Sequence, residues 1–136
     1  MRKVITLGTF DLLHTGHINL LKRAKELGDY LIVGLSSDDF ALFKGKKTVL
    51  NYEQRKQILE AIKYVDEIFY VDSFYNEIIE IIERKPDVFV IGDDYKGKFD
   101  RLSEFGIKVI YLSRTPDISS SIIRKELEIN VDKSIS

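Results

Sequence analysis

The chain has 136 residues, 44% of them apolar and 32% charged, with eight glycines, two prolines and a formal net charge of −1. That is the profile of one folded domain around one core. It excludes a disordered or fibrous chain, and the bulk charge offers nothing to attract nucleic acid or an anionic membrane. With no cysteine present, disulfides, thiolate metal sites and thiol nucleophiles are excluded too.

The amino terminus, Met1 to Thr6, runs into a short apolar stretch broken at Gly8 and Asp11, too short for a signal-peptide core or a membrane span, so a cytoplasmic location is expected. Val4 to Leu7, partly β-branched and followed by Gly8-Thr9-Phe10-Asp11, predicts a buried strand feeding a loop. From Gly16 to Leu27, Ile18, Leu21, Ala24 and Leu27 recur every three residues before Gly28, which predicts a helix with its stop. Tyr30 to Leu35 predicts a second strand ending in Ser36-Ser37-Asp38. Asn51, with Gln54 three residues on, forms a capping-box pattern that predicts a helix through Tyr64. Glu67 to Val71 predicts a third strand and Tyr75 to Arg84 a helix carrying Ile78, Ile79, Ile81 and Ile82. Val88 to Ile91 follows Pro86 as a fourth strand, and Lys108 to Leu112 is the fifth. A last helix is expected from about Ser120, with Ile122, Ile123 and Leu127. Residues 1–129 are expected to form the domain and 130–136 a frayed tail.

Strands alternating with helices predict the α/β class: a single Rossmann-like domain with a five-stranded parallel sheet and helices on both faces. Ligands of such sheets bind beyond the carboxyl ends of the strands. The segments expected there are chemically alike: Gly8-Thr9-Phe10-Asp11 with His14 and His17, then Ser36-Ser37-Asp38, then Gly92-Asp93-Asp94, then Ser113-Arg114-Thr115. Both histidines of the chain lie in His14-Thr15-Gly16-His17, where a helix begins. Unpaired backbone N–H groups and the positive dipole end suit phosphate there, and imidazole N–H groups can donate to charge formed during a reaction. A simple capped turn, or a metal site shared with Asp11, fits the same two residues. Lys44-Gly45-Lys46-Lys47 reads either as a solvated basic loop or as ammonium groups able to fold over a polyphosphate. Ser119-Ser120-Ser121 reads as a helix cap or as a second phosphate cradle with Arg114 and Thr115.

In order and spacing, Gly8-Thr9-Phe10-Asp11-Leu12-Leu13-His14-Thr15-Gly16-His17 resembles the H-x-G-H signature of the cytidylyltransferases. That element is shared with adenylyltransferases and class I aminoacyl-tRNA synthetases. Lys44 and Lys46, Tyr52-Glu53-Gln54-Arg55-Lys56, Tyr64-Val65-Asp66-Glu67, Gly92-Asp93-Asp94-Tyr95-Lys96-Gly97-Lys98-Phe99-Asp100 and Arg114-Thr115-x-x-Ile118-Ser119 extend the likeness to the family's glycerol-3-phosphate branch. It covers about Met1 to Leu127.

The resemblance implies in-line transfer of CMP from CTP to sn-glycerol 3-phosphate, giving CDP-glycerol and pyrophosphate for a cell-surface polymer such as teichoic acid. A phosphate monoester is mostly a dianion at neutral pH, its second pKa being about 6, so orientation and charge neutralisation suffice without a strong base. By the same resemblance His14, His17, Lys44, Lys46 and Arg114 are catalytic. Gly8, Thr9, Phe10, Lys63, Asp94, Thr115, Ser119 and Ser120 join His14, His17 and Arg114 around the nucleotide. Asp11, Asp38, Lys44 and Lys46 receive the acceptor. Mg²⁺ is expected with CTP and without direct protein ligands. A homodimer is expected, using the Tyr64–Glu67 region. The family commonly has arginine where Lys63 stands, and a glycine where this chain has Pro116-Asp117. A related transferase using ATP or another phosphorylated acceptor, or a nucleotide-binding module without turnover, would share much of this pattern.

Overall fold

The computed structural model describes residues 1–113. The last predicted helix, the tail and Arg114, Thr115, Ser119 and Ser120 lie outside the described residues. In chain order the elements are β1 (Lys3–Gly8), α1 (Thr15–Glu26), β2 (Tyr30–Ser36), α2 (Asp38–Phe43), α3 (Tyr52–Glu60), β3 (Glu67–Val71), α4 (Phe74–Arg84), β4 (Val88–Gly92) and β5 (Lys108–Leu112). Short 3₁₀ turns at Asp93–Tyr95 and Asp100–Phe105 join β4 to β5.

All neighbouring strands are parallel, in the order β3-β2-β1-β4-β5. Because strand side chains alternate between faces, each strand feeds two cores. Ile5 and Leu7 of β1, with Ile32, Phe69 and Phe89, pack under Phe40 of α2 and Ile81 of α4. Val4, with Leu31, Val33, Val88 and Val90, packs under Leu21 and Ala24 of α1 and Leu59 of α3. Each large side chain so buried contributes about 1.5–3 kcal/mol, which makes these two layers the main source of stability.

Two elements differ from the sequence expectation. The helix predicted from Asn51 to Tyr64 ends at Glu60, because Ile62 and Val65 are drawn into turns by bonds to Leu59 and Ile62 carbonyls. The turns bring Asp66 to Leu31, where its N–H donates to the Leu31 carbonyl and its carboxylate accepts from the Leu31 N–H. Joining β3 to β2 outweighs another turn of helix. The second difference is α2, a six-residue helix after β2 that is too short to show periodicity. It starts where Ser37 Oγ accepts from the Phe40 N–H at 3.0 Å.

The strand order reverses between β1 and β4, and there the sheet opens. β1 stays paired to β2 as far as Gly8↔Leu35, and β4 to β5 as far as Gly92↔Leu112. The β1–β4 ladder covers Val4↔Val88 and Ile5↔Phe89, so beyond those pairs the two strands part. This is the crevice position at which open α/β sheets take ligands.

Candidate active site

The loop leaving β1 is held in a strained shape. Phe10 and Leu12 adopt φ of 50° and 49°, which costs a bulky residue about 1–3 kcal/mol unless the surroundings impose it. Phe10 is buried, and its ring lies where a Cβ on Gly8 would come within 2.5 Å. Glycine at position 8 is what lets the loop fold back on its own strand. The same ring meets His17 edge-on, with centroids 5.6 Å apart.

His14 caps α1. Its Nδ1 accepts from the Gly16 N–H at 3.0 Å, while the His17 Nδ1 accepts from the His14 N–H at 3.2 Å. A ring nitrogen that accepts carries no proton, so both imidazoles are assigned the tautomer that donates through Nε2. Burial lowers the His14 pKa. Burial, then the neighbouring His14 and Lys46 charges, lowers that of His17 to about 4, against the opposing pull of Asp11. Both rings are therefore neutral donors at neutral pH, tilted 34° to each other with centroids 4.0 Å apart. His14 Nε2 and Thr9 Oγ1 are buried and have no partner among the described residues. An unsatisfied buried donor costs about 1–3 kcal/mol, and one at the amino terminus of α1 with another in the loop that leads to it suits an anion.

The frame around this site is Arg55, a residue the sequence reading passes over as part of a motif. Its side chain is 0% exposed. One terminal nitrogen donates to the Thr9 carbonyl at 2.8 Å and the Ser36 carbonyl at 2.9 Å, Nε donates to the Leu50 carbonyl, and the other terminal nitrogen pairs with Asp38 at 2.7 Å. One guanidinium thus ties together the loops after β1 and β2 and the start of α3. Nothing local in a sequence marks an arginine for burial. The signal is only that three loop segments must meet there.

Asp11 and Asp38, expected at the acceptor, both have framework partners. Asp11 accepts from the Val49 and Leu50 N–H groups at 2.8 and 3.0 Å, and Asp38 is the carboxylate paired with Arg55. Lys44, at the end of α2, turns inward: its Nζ reaches Ser36 Oγ at 3.0 Å and lies 4.3 Å over the Phe40 ring. Lys46 is exposed and close enough to His17 to depress its pKa. Asp94 lies in the 3₁₀ turn after β4, across the crevice from the β1 loop. Lys63 is not brought there. It follows α3, three residues before the Asp66–Leu31 bond, which puts it at the amino edge of the sheet, against Tyr64.

The chain matches the model of the Cytidylyltransferase-like family over residues 5–126. It belongs to that family. It is 54% identical over 127 residues to the glycerol-3-phosphate cytidylyltransferase of Bacillus subtilis (strain 168), covering 93% of this chain and 98% of that one. It is 50% identical over 127 residues to the Staphylococcus aureus (strain NCTC 8325 / PS 47) protein of the same description, covering 93% and 96%. Among solved structures it resembles a lipopolysaccharide core biosynthesis protein from Thermoplasma volcanium GSS1, with a TM-score of 0.73 and 30% identity over 84% of this chain and 98% of that one. As a cytidylyltransferase-like fold, the opened β1–β4 edge and the paired imidazoles form its candidate centre. Among the described residues no helix is long and apolar enough to cross a membrane.

Proposed function

We propose that the protein is a CTP:glycerol-3-phosphate cytidylyltransferase. A phosphate oxygen of sn-glycerol 3-phosphate attacks the α-phosphorus of CTP, the bond from that phosphorus to the bridging oxygen of the β-phosphate breaks, and pyrophosphate leaves with the electron pair. CDP-glycerol is the product. The observation that carries this reading is the pair of neutral imidazoles at the start of α1, with Nε2 of His14 and Oγ1 of Thr9 buried and unpartnered, in a chain half identical to enzymes of that description.

In this reading the two Nε2–H groups donate to the α-phosphate as its charge spreads in the transition state. Being already placed, they need no reorganisation at that moment. Lys44 and Lys46 neutralise the phosphates of the two substrates, with Arg114, Thr115, Ser119 and Ser120 on the triphosphate, while Asp94 approaches the nucleoside. No side chain becomes a nucleophile, since the acceptor supplies its own. Mg²⁺ is proposed to enter as part of the triphosphate substrate, and no step is assigned to it.

A homodimer is part of the same proposal. β3 is an edge strand and carries the exposed Tyr70 on one face, with the exposed Phe43 and Phe74 on the other, and an edge with apolar groups to either side is the kind of surface that a second copy covers. Light scattering that gives the monomer mass at micromolar concentration would dismiss it. The product is proposed to serve a cell-surface polymer made from the cytoplasmic side.

The test of activity is a substrate panel with the product identified by mass. CTP with sn-glycerol 3-phosphate should yield CDP-glycerol and pyrophosphate. If glycerol 3-phosphate leaves pyrophosphate release unchanged while another phosphorylated acceptor, or ATP, supports turnover, the assignment fails.

A further inference from the structure

One buried carboxylate is used by neither the fold nor the chemistry above. Glu77, in the first turn of α4, is 6% exposed, and an acidic side chain is rarely so covered without a partner. Among the described residues it forms no ion pair or side-chain hydrogen bond. It shares the inward face of α4 with Ile81, one turn on, and Ile81 packs in the same core layer as Phe40. Phe40 also meets Phe74 from the start of α4, with centroids 5.0 Å apart. Over that same Phe40 ring lies the Lys44 ammonium, at 4.3 Å, bonded to Ser36. Glu77 therefore lies on α4 between Phe74, which meets the Phe40 ring, and Ile81, which packs in the same layer, while the Lys44 ammonium reaches that ring from the end of α2.

We propose that Glu77 is a positioning residue that draws the Lys44 ammonium inward over Phe40 and onto Ser36, setting it at the edge where the substrate phosphates meet. A lysine at the end of a short helix has four rotatable bonds and a strong preference for water. Left alone in this partly apolar corner, it would turn outward. A buried anion on the neighbouring helix supplies the pull that holds it, beyond ion-pair contact and so without the rigid link that would keep it from a phosphate.

The electrostatics agree with the geometry. Burial lowers the Lys44 pKa, Glu77 raises it, and Lys46 and Arg55 lower it further. Burial raises the Glu77 pKa to about 7, with Lys44 opposing. Of the other charged groups nearby, Asp39 and Asp72 line the adjoining groove with Phe40, Phe43 and Phe74, and Asp38 is held by Arg55. The pull on Lys44 is therefore on above neutrality and weakens below it.

The proposal rests on the reading of Lys44 as a phosphate-holding residue, and the test separates the two. In the ligand-free full chain, the Lys44 side-chain resonance, assigned by its loss in Lys44→Arg, is titrated by NMR in wild type and in Glu77→Gln. Circular dichroism establishes that the variant is folded. The Lys44 pKa should fall in Glu77→Gln. The variant's kcat/KM should drop about tenfold near pH 8, the scale expected of one charge acting through several ångströms of protein, and approach wild type near pH 6, where Glu77 is already protonated. In a Lys44→Met background, Glu77→Gln should have no further effect. An unchanged Lys44 titration in the folded variant overturns the proposal while leaving the role of Lys44 standing. A shifted titration with wild-type kcat/KM at every pH overturns the phosphate role of Lys44, and the proposal with it.

Discussion

Arg55 and the His14–His17 pair border the same loop after β1 and use their polar atoms in opposite ways. Arg55 commits its guanidinium to three backbone carbonyls and Asp38, inside the protein and away from water. The histidines use Nδ1 to fix the start of α1 and leave Nε2 pointing at nothing the described residues provide on His14. A polar group whose bonds are all satisfied internally is framework, and one held rigidly with a donor left over is available for chemistry. The contrast predicts that substitutions at the first should act on folding and substitutions at the second on turnover.

The largest effect is expected at Arg55. Replacing it with alanine strands the buried-side acceptors at the Thr9 and Ser36 carbonyls, while the half-exposed Asp38 is left to water, so Arg55→Ala should lose about 2–5 kcal/mol of stability, at about 1–3 kcal/mol for each acceptor left unsatisfied. Urea denaturation measures it directly. A loss under about 1 kcal/mol would mean that water replaces the guanidinium readily and that Arg55 is no frame.

At His14 the two roles can be separated in one residue. Asparagine is a good helix cap, so His14→Asn should keep stability within about 0.5 kcal/mol while removing the Nε2 donor. Its kcat should fall about 10²–10³-fold with a much smaller change in KM, as for the loss of one donor to a charge formed in the transition state. His14→Ala should show the same kcat and lose roughly a further 1 kcal/mol from the missing cap. Unchanged turnover in His14→Asn would refute the donor role. Asp11 lies between the two extremes, since its carboxylate clamps Val49 and Leu50 at the end of the lysine loop. Asp11→Asn should cost about 1–2 kcal/mol, the range for hydrogen bonds to a charged acceptor, and raise KM more than it lowers kcat because Lys46 is less well placed. A KM equal to wild type would detach that loop from substrate binding.

Much of this was legible in the sequence, for identifiable reasons. β3 and β5 begin and end where expected, since each is a short apolar run bounded by charge or turn residues. The histidines announced themselves by clustering at a helix start. Tertiary competition is what local pattern could not show: Ile62 continues the helical spacing from Leu59, yet the chain turns there so that Asp66 can reach β2. Nothing local singles out Arg55 or Glu77, because their helices place them on an inward face that only three-dimensional packing defines. Lys44 and Glu77 are far apart in the chain, and only the packing of Phe40 of α2 against Phe74 of α4 brings their helices together.

The smallest effect sets two buried titratable groups against each other. His17 has its pKa lowered from 6.5 to about 4, mainly by burial. Below pH 6.5 the unfolded chain binds a proton that the folded chain refuses, so this group makes stability fall as pH drops toward 4. Glu77 has its pKa raised from 4.5 to about 7, again by burial. Between those values the folded chain keeps a proton the unfolded chain has released, so this group makes stability fall as pH rises toward 7. In the window where both act, from 4.5 to 6.5, the slopes oppose and the wild-type urea midpoint should change little. Removing either group should expose the other. The midpoint of Glu77→Gln should climb with pH across that window, and that of His17→Asn should decline. If both variants track wild type, neither group is held in its disfavoured charge state by the fold.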